Sequence, residues 1–472
     1  MKTILLTFFA LASSIMCVSA TENVIYVSPD GTGNGTSWTD ATDFNSAAYV
    51  AGLSEVKPQI WVKEGTYSFT VPVNFDHLFI YGGFKGNEIS LDQRNWTLNQ
   101  TILDGGGVTS VLRNTTGDNR GGNGVSIPCL LDGIIVQNGY ISGQGNHGGG
   151  MYVNRGAQIK NCIFRNNKNN GAHGGALYCQ GHTNENRSEY KIENSLFVNN
   201  YTHQNGAGVQ VAASARGIFV NCTFANNKAN NQTGGGVGGG GGNNSEFIFI
   251  NTIAYNNYGR EGAQAPEHIK SSYGVGANVN DGAVLFSLHS AFESESNKFS
   301  PGDNVVDHIV LSETVTPSVT PMFKSPSTII GHSEDETEKA EIFAASYELT
   351  ASSPCIDTGI TTGFPEGITI TLPVKDLAGN ARIQGDKIDM GAYEFVVPSS
   401  TSAANSKTLS AYVDGTNIYV IGAAEGKFLE VYDTLGKLVQ RQKVNGILTE
   451  INVKNKGIYI VISDEEAIKV SF

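Results

Sequence analysis

The stretch NCIFRNNKNNGAHGGALYCQG, Asn161 to Gly181, decides how the rest of the chain is read. It sets two short apolar runs among asparagine pairs and a double glycine. That texture suits neither a helix nor an ordinary hairpin, because Gly and Asn weaken helices and build turns. The texture repeats. Aligned with NCIFRNN are DGIIVQN from Asp132, NSLFVNN from Asn194, NCTFANN from Asn221 and NTIAYNN from Asn251. Between these runs lie HGGGMYV from His147, HGGALYC from His173, NGAGVQV from Asn205 and TGGGVGG from Thr233.

A period of about 30 residues built from two or three short strands is satisfied by a parallel β-helix, in which each repeat is one coil of a solenoid. Successive coils stack about 4.8 Å apart through strand hydrogen bonds, so equivalent positions form columns. Phe164, Phe197 and Phe224 are expected to stack inside, with Ala254 ending the column, beside a column of small residues at Cys162, Ser195, Cys222 and Thr252. Asn167, Asn200, Asn227 and Asn257 share one turn. Their amides can bond to each other and to turn backbone that a buried corner would otherwise strand.

Composition agrees with a turn-rich chain. Of 472 residues, 57 are Gly and only 16% are charged, while 40% are hydrophobic, enough for a sizeable core in two or three domains. The net charge of −13, without a Lys/Arg cluster, argues against nucleic-acid binding. The first twenty residues, MKTILLTFFALASSIMCVSA, read as a secretory signal peptide cleaved after Ala20. A lipoprotein reading would instead keep Cys17, but Ile15 and Met16 before it are bulky. No later run reaches the roughly 18 apolar residues of a membrane span. Cys129, Cys162, Cys179, Cys222 and Cys355 remain, an odd set without metal-ligand spacing, and read as free buried thiols.

Several runs carry resemblances. GGALY with SLFVNN and CIFRNN resembles the GGA[ILV] and FxxN repeats of polymorphic outer-membrane proteins, a family of right-handed parallel β-helices on bacterial surfaces. IYVSPDGTGNGTSWTDATDF, QIWVKEGTYSF, IYGGFKGNEISLDQRNW and TILDGGG are similar to the N-terminal coils of secreted bacterial β-helix proteins. TPMF, ELTASSPCIDTG and DLAGNARIQGDKIDMGAYEF look like the closing segment of the choice-of-anchor Q type. After Phe395 a Pro/Ser/Ala-rich linker, Val396 to Lys407, leads to LEVYDTLGKLVQRQKV and KGIYIVISDEEAIKVSF. These resemble the C-terminal sorting domain of type IX secretion cargo, a small β-sandwich.

The β-helix fold also hosts polysaccharide lyases and glycosidases, but that prior belongs to the fold and not to a site. No carboxylate pair recurs on one column, as a glycosidase needs, and there is no arginine ladder. His147 and His173, each before a Gly-Gly pair, should stack roughly 5 Å apart, where imidazoles can bind a metal or trade protons. A column of turn residues continued by Asn205 and Thr233 explains them as well. Asp132 replaces the Asn of its column and is a third candidate ligand, with a first-coil turn as its plainer reading. Arg94 reads as a structural ion pair in a bend. Arg382, Asp386, Asp389 and Glu394 read as charges capping an open sheet edge. GGGVGGGGGNN, Gly234 to Asn244, lacks the Lys and the strand-to-helix context of a phosphate loop.

The sequence therefore leads to an all-β chain: signal peptide 1–20, right-handed parallel β-helix 21–395, linker 396–407 and a C-terminal sorting-type β-sandwich 408–472. The expected protein is exported, extracellular or at the outer-membrane surface. It is expected to be a non-catalytic adhesin or a glycan- or protein-binding scaffold with no assigned catalytic residue, cofactor or metal, and His147, His173 and Asp132 are its candidate ligand residues. Its expected partners are an extracellular glycan or protein and, through the C-terminal domain, the export machinery. The competing expectation is a polysaccharide lyase or glycoside hydrolase acting on one flank.

Overall fold

The computed structural model describes residues 23–114, 120–121, 125–126, 129–154, 156–181, 188–212, 214–230, 234–239, 245–259, 273–274, 284–292, 304–306, 309–310, 319–396, 410–414, 417–421, 426–434, 436–444, 448–453, 457–463 and 466–471. The signal-peptide segment, Thr233 and nearly all of the linker lie outside them. The chain divides into two compact units, Met1–Phe395 and Val396–Phe472.

Stacked parallel sheets form the body of the first unit, the arrangement of a β-solenoid, while Phe323–Ser325 and Ser346–Leu349 pair antiparallel outside them. One coil runs through Ala157–Lys160, Ile163–Arg165, Lys168–Asn169 and Leu177–Gln180 before Ser188–Glu193 begins the next. Equivalent strands stack into sheets of ten, nine, four and seven strands. We call them the first, second, third and fourth sheets, in the order the chain visits them. The coil has four strands, two more than the repeating runs supply: one in the first sheet and a two-residue one in the third. The first-sheet strands AQIK, SEYKIE and ARGIFV share no fixed motif; the first two alternate apolar with polar residues, whereas the last ends in three buried apolar ones. A ten-residue helix, α1 (Phe44–Leu53), buries Phe44, Ala47, Ala48 and Ala51 in the same cluster as the interior of the first coils. Asp43 caps it by accepting from the Ser46 amide.

The columns form as the spacing requires. Phe164 and Phe197 stack with ring centroids 4.9 Å apart, as do Phe197 and Phe224, and Ala254 follows them in register. The sulfhydryl of Cys162 donates to Lys160 O, and the Ser195 and Thr252 hydroxyls donate to Glu193 O and Ile250 O. The small-residue column thus ties off strand ends. All five described cysteines are free and buried.

Asn167, Asn200, Asn227 and Asn257 form a continuous buried ladder. Each of the first three donates from Nδ2 to the next Oδ1, at 3.0, 2.9 and 2.8 Å. The same Oδ1 atoms accept the backbone N–H of the coil above, so a sharp turn is satisfied without water. Two outer corners carry asparagines in the left-handed region: Asn161, Asn194, Asn221 and Asn251 between the first and second sheets, and Asn138, Asn166, Asn199, Asn226 and Asn256 after the second. Asn tolerates that conformation where other side chains clash.

The closing segment differs from its expected role. Residues 319–395 do not cap an edge; they lie along the outward faces of the first two sheets as a strap. Tyr347, Leu377 and Ala392 cluster with Leu196, Val198 and Ala225, while Ile360, Phe364, Ile368, Ile370 and Leu372 pack on Ile218, Val220, Ile248 and Ile250. The outer asparagines hold it by its backbone. Asn166 donates to Ser333 O, Asn199 to Ile329 O, Asn226 to Ser327 O, Asn221 to Asp389 O and Asn251 to Ile360 O. These coils expose apolar residues outward, and burying that surface is what draws the strap over them. Within it Arg382, Asp389 and Glu394 are buried, whereas Asp386 is exposed.

The second unit has two antiparallel sheets. One orders Ser410–Asp414, Asn417–Ile421 and Leu448–Asn452; the other orders Leu438–Lys443, Phe428–Asp433, Ile458–Ser463 and Glu466–Ser471. Residues from both, including Ile418, Val420, Ile451, Leu429, Val431 and Val461, form one buried cluster.

Candidate binding site

His147 and His173 come together as the spacing requires, with centroids 5.4 Å apart and planes 24° from parallel. They sit where the chain enters the fourth sheet. The glycine after each, Gly148 and Gly174, has a positive φ of 74° and 76° that a side chain would strain. His147 Nδ1 accepts the His173 N–H at 3.4 Å, and His173 Nδ1 accepts the Asn205 N–H at 3.2 Å. Each ring therefore carries its proton on Nε2, and Nδ1 is occupied by backbone. Burial first, then the neighbouring His173 and Arg113, lowers the His147 pKa to about 4, and burial lowers that of His173. The neutral imidazoles extend a stack in which His147 lies 4.1 Å from Tyr178, Tyr178 lies 5.5 Å from Tyr152, and Arg113 covers Tyr152 at 4.9 Å. This is a turn ladder with no lone pair turned outward.

Asp132 lies on another corner of the coil. Its place in the column also shifts by one: Asp132 pairs with Lys160 in the first sheet, and Gly133, with φ 74°, takes the corner that Asn161 occupies one coil on. The corner demands a positive φ, which Gly supplies without cost. The Asp132 carboxylate is fully engaged, by Arg94 Nη2 at 2.6 Å and by Asn161 Nδ2 at 2.6 Å. Arg94 packs between Tyr81 and Trp96. The three candidates are thus divided between a turn ladder and a buried ion pair. Among the described residues no group of three or more His, Cys, Asp or Glu side chains is placed to hold a metal ion.

A different place in the first unit is open. Outward positions of the second sheet run Ser68, Asp104, Gln137, Arg165, Val198 and Ala225 in register down the stack. The apolar end is covered by the strap. Over the polar end the strap, with its helix α2 (Glu336–Ala344), stands away and leaves a cleft of about 540 Å³. Ser68, Asp104 and Gln137 line one side, Asn138 and Tyr140 the corner beyond, and His332, Glu334, Glu336, Lys339 and Phe343 the opposite wall.

Most charges here are already paired. Asp104 accepts from Gln137 Nε2 (2.7 Å), Asn138 Nδ2 (2.9 Å) and the Gly106 N–H (2.7 Å). Gln137 Oε1 accepts from Arg165 Nε at 2.9 Å; Arg165 also donates to Phe343 O and lies 4.3 Å from the Phe343 ring. Burial lowers the Arg165 pKa to about 10, which leaves it charged at neutral pH. Lys168 bonds Glu334 at 2.7 Å and holds its carboxyl below the usual range, and Lys339 bonds Glu336 at 2.8 Å. His332 Nδ1 lies 2.8 Å from Asn166 O, so that nitrogen carries the proton and Nε2 is an acceptor; burial lowers its pKa.

The chain matches no family model, and no curated protein matches it. Among the described residues no helix is long and apolar enough to cross a membrane.

The sequence reading missed Tyr140, His332 and Phe343. One signal was present: outward positions of the repeat change from polar (Asp104, Gln137, Arg165) to apolar (Val198, Ala225) along the stack.

Proposed function

We propose that the protein is an exported, non-catalytic binding scaffold of the cell surface or extracellular space, which presents an elongated solenoid to a glycan or protein ligand. The carrying observation is the cleft. It combines aromatic, amide and paired charged groups at the polar end of the second sheet's outward face. Such mixed polar and aromatic linings suit small-ligand recognition. Its carboxylates are engaged in hydrogen bonds or ion pairs, which favours holding a ligand over general acid and base work.

The finer assignments belong to the same proposal. Residues 21–395 are taken as a right-handed β-helix of the choice-of-anchor Q type, supported by the closing-segment resemblance and the strong right-handed preference of parallel crossovers. Residues 408–472 are taken as a type IX sorting sandwich after a 396–407 linker, and residues 1–20 as a signal peptide. The export machinery is then a partner through the C-terminal unit. A lyase or glycosidase remains the second reading, favoured by the gathering of Asp104, His332, Glu334, Glu336 and Lys339 around one cleft.

The test is a glycan array probed with the intact chain, run beside assays for reducing ends and unsaturated products on acidic and neutral polysaccharides. Retention of a glycan without product supports the scaffold; product release overturns it.

A further inference from the structure

The groups around the cleft also select a class of ligand. We infer that it takes the uncharged end of a glycan, with sugar rings packed against Tyr140 and Phe343 and hydroxyls pairing with the exposed Glu334 and Glu336 carboxylates. This rests on the scaffold reading and narrows it.

Volume is the first argument: about 540 Å³ suits a short saccharide rather than a lone ion. Ring surface is the second. Tyr140 and Phe343 both line the cleft, and Arg165 covers one face of Phe343, which fixes the ring and lowers the entropy lost when a ligand docks.

Charge is the third and decides the class. Asp104, Glu334 and Glu336 bring three carboxylates to the lining, against the single lining cation Lys339. Arg165 is committed to Gln137 and Phe343, and Lys168 to Glu334, while burial keeps His332 neutral near pH 7. A uronate, sialate or sulfate would meet like charge with no uncommitted guanidinium to receive it. A sugar hydroxyl meets the opposite situation. It donates to a carboxylate, and hydrogen bonds to ionised acceptors are the stronger kind. A cationic peptide is the other occupant this lining would tolerate, and it becomes an outcome of the test.

The experiment probes the intact chain on an array of uncharged, sialylated, sulfated and uronate-bearing oligosaccharides, adds an oligolysine probe, and follows hits by calorimetry. Variants are Tyr140→Ala, Glu336→Lys and Ser68→Trp, the last filling the cleft from an exposed position that packing does not constrain. Uncharged oligosaccharides should be retained, Tyr140→Ala should weaken them by about three- to tenfold, and Ser68→Trp should abolish binding. Glu336→Lys should admit acidic glycans that the wild type rejects. Preference of the wild type for acidic glycans or for oligolysine overturns the inference, as does binding that ignores both Tyr140→Ala and Ser68→Trp; each leaves the scaffold reading standing. Product release overturns the scaffold reading itself, and failure to retain any glycan overturns this inference alone when a protein ligand is captured at another face.

Discussion

Arg382 and Asn194, 188 residues apart in the chain, meet side chain to side chain, the guanidinium donating to Asn194 Oδ1 at 2.7 Å. The contact interrupts an outer asparagine ladder. Above it Asn161 donates to Asp132 and Asn194 to Asn161; below it Asn251 donates to Asn221. Between Asn194 and Asn221 the strap supplies the bonds instead. Arg382 bonds Asn194 and Gly391 O, and Asn221 donates to Asp389 O. The ion pair from Arg382 to Glu394, at 3.4 Å with both side chains almost wholly buried, completes the junction.

Removing the cation should therefore loosen the strap. Arg382→Met leaves Asn194 Oδ1 and Gly391 O buried without that donor, at an expected loss of about 1–3 kcal/mol for each orphaned acceptor. Arg382→Lys should recover little, since one ammonium cannot reach Glu394, Asn194 and Gly391 together as the planar fork does. Urea denaturation gives the loss, and limited proteolysis should cut first within 357–395.

The same junction sets a pH dependence. Burial, partly offset by Arg382, raises the Glu394 pKa from 4.5 to about 8, and burial raises those of Asp376 and Asp389. A raised acid keeps its proton in the folded chain after the unfolded chain has lost it. Its contribution is full below pH 4.5 and disappears as pH climbs to about 8. Stability should fall across that window by up to about 1.4 kcal/mol per pH unit for this group. Thermal melts of Glu394→Gln against wild type should isolate it, the variant showing the shallower dependence.

The inner ladder should be less forgiving than its surface-like composition implies. Asn200 Oδ1 accepts from both the backbone and the side chain of Asn167, and its Nδ2 donates to Phe164 O and Asn227 Oδ1. Asn200→Ala strands several buried groups at once and should cost about 3 kcal/mol or more. Asn200→Asp should do no better, because a carboxylate faces two oxygens there. Equilibrium denaturation of both variants checks this.

The stacked histidines make a contrary prediction. His147 should titrate near pH 4 by imidazole NMR. A base with a lowered pKa costs stability as pH falls below its unfolded value of 6.5, so acid should destabilise wild type more than His147→Asn. Zinc should leave the melting temperature of both unchanged, because backbone amides already occupy Nδ1 of each ring.

Repetition made the solenoid legible. Phe197, Asn200 and His173 each stand in a column whose other members could be read from the alignment, and stacking follows once the coils are in register. The strap was not legible as a strap. Its partners on the asparagine corners are backbone carbonyls such as Ser327 O and Ile329 O, which every residue carries and no side-chain pattern announces. The shift at Asp132 was hidden for a related reason. Gly133 meets the corner's need for positive φ as well as Asn does, so either residue could head the column. The cleft joins Asp104 and Tyr140 to His332 and Phe343, and only the strap's return brings the two halves together.

The central claim is that a glycan is held and not turned over. Its most direct test is to incubate the intact chain with a retained oligosaccharide through many binding lifetimes and weigh the recovered sugar by mass spectrometry. The mass should be unchanged, and a Ser68→Trp chain should recover no sugar. A hydrolysed or unsaturated fragment, produced by wild type and lost in Ser68→Trp, would contradict it.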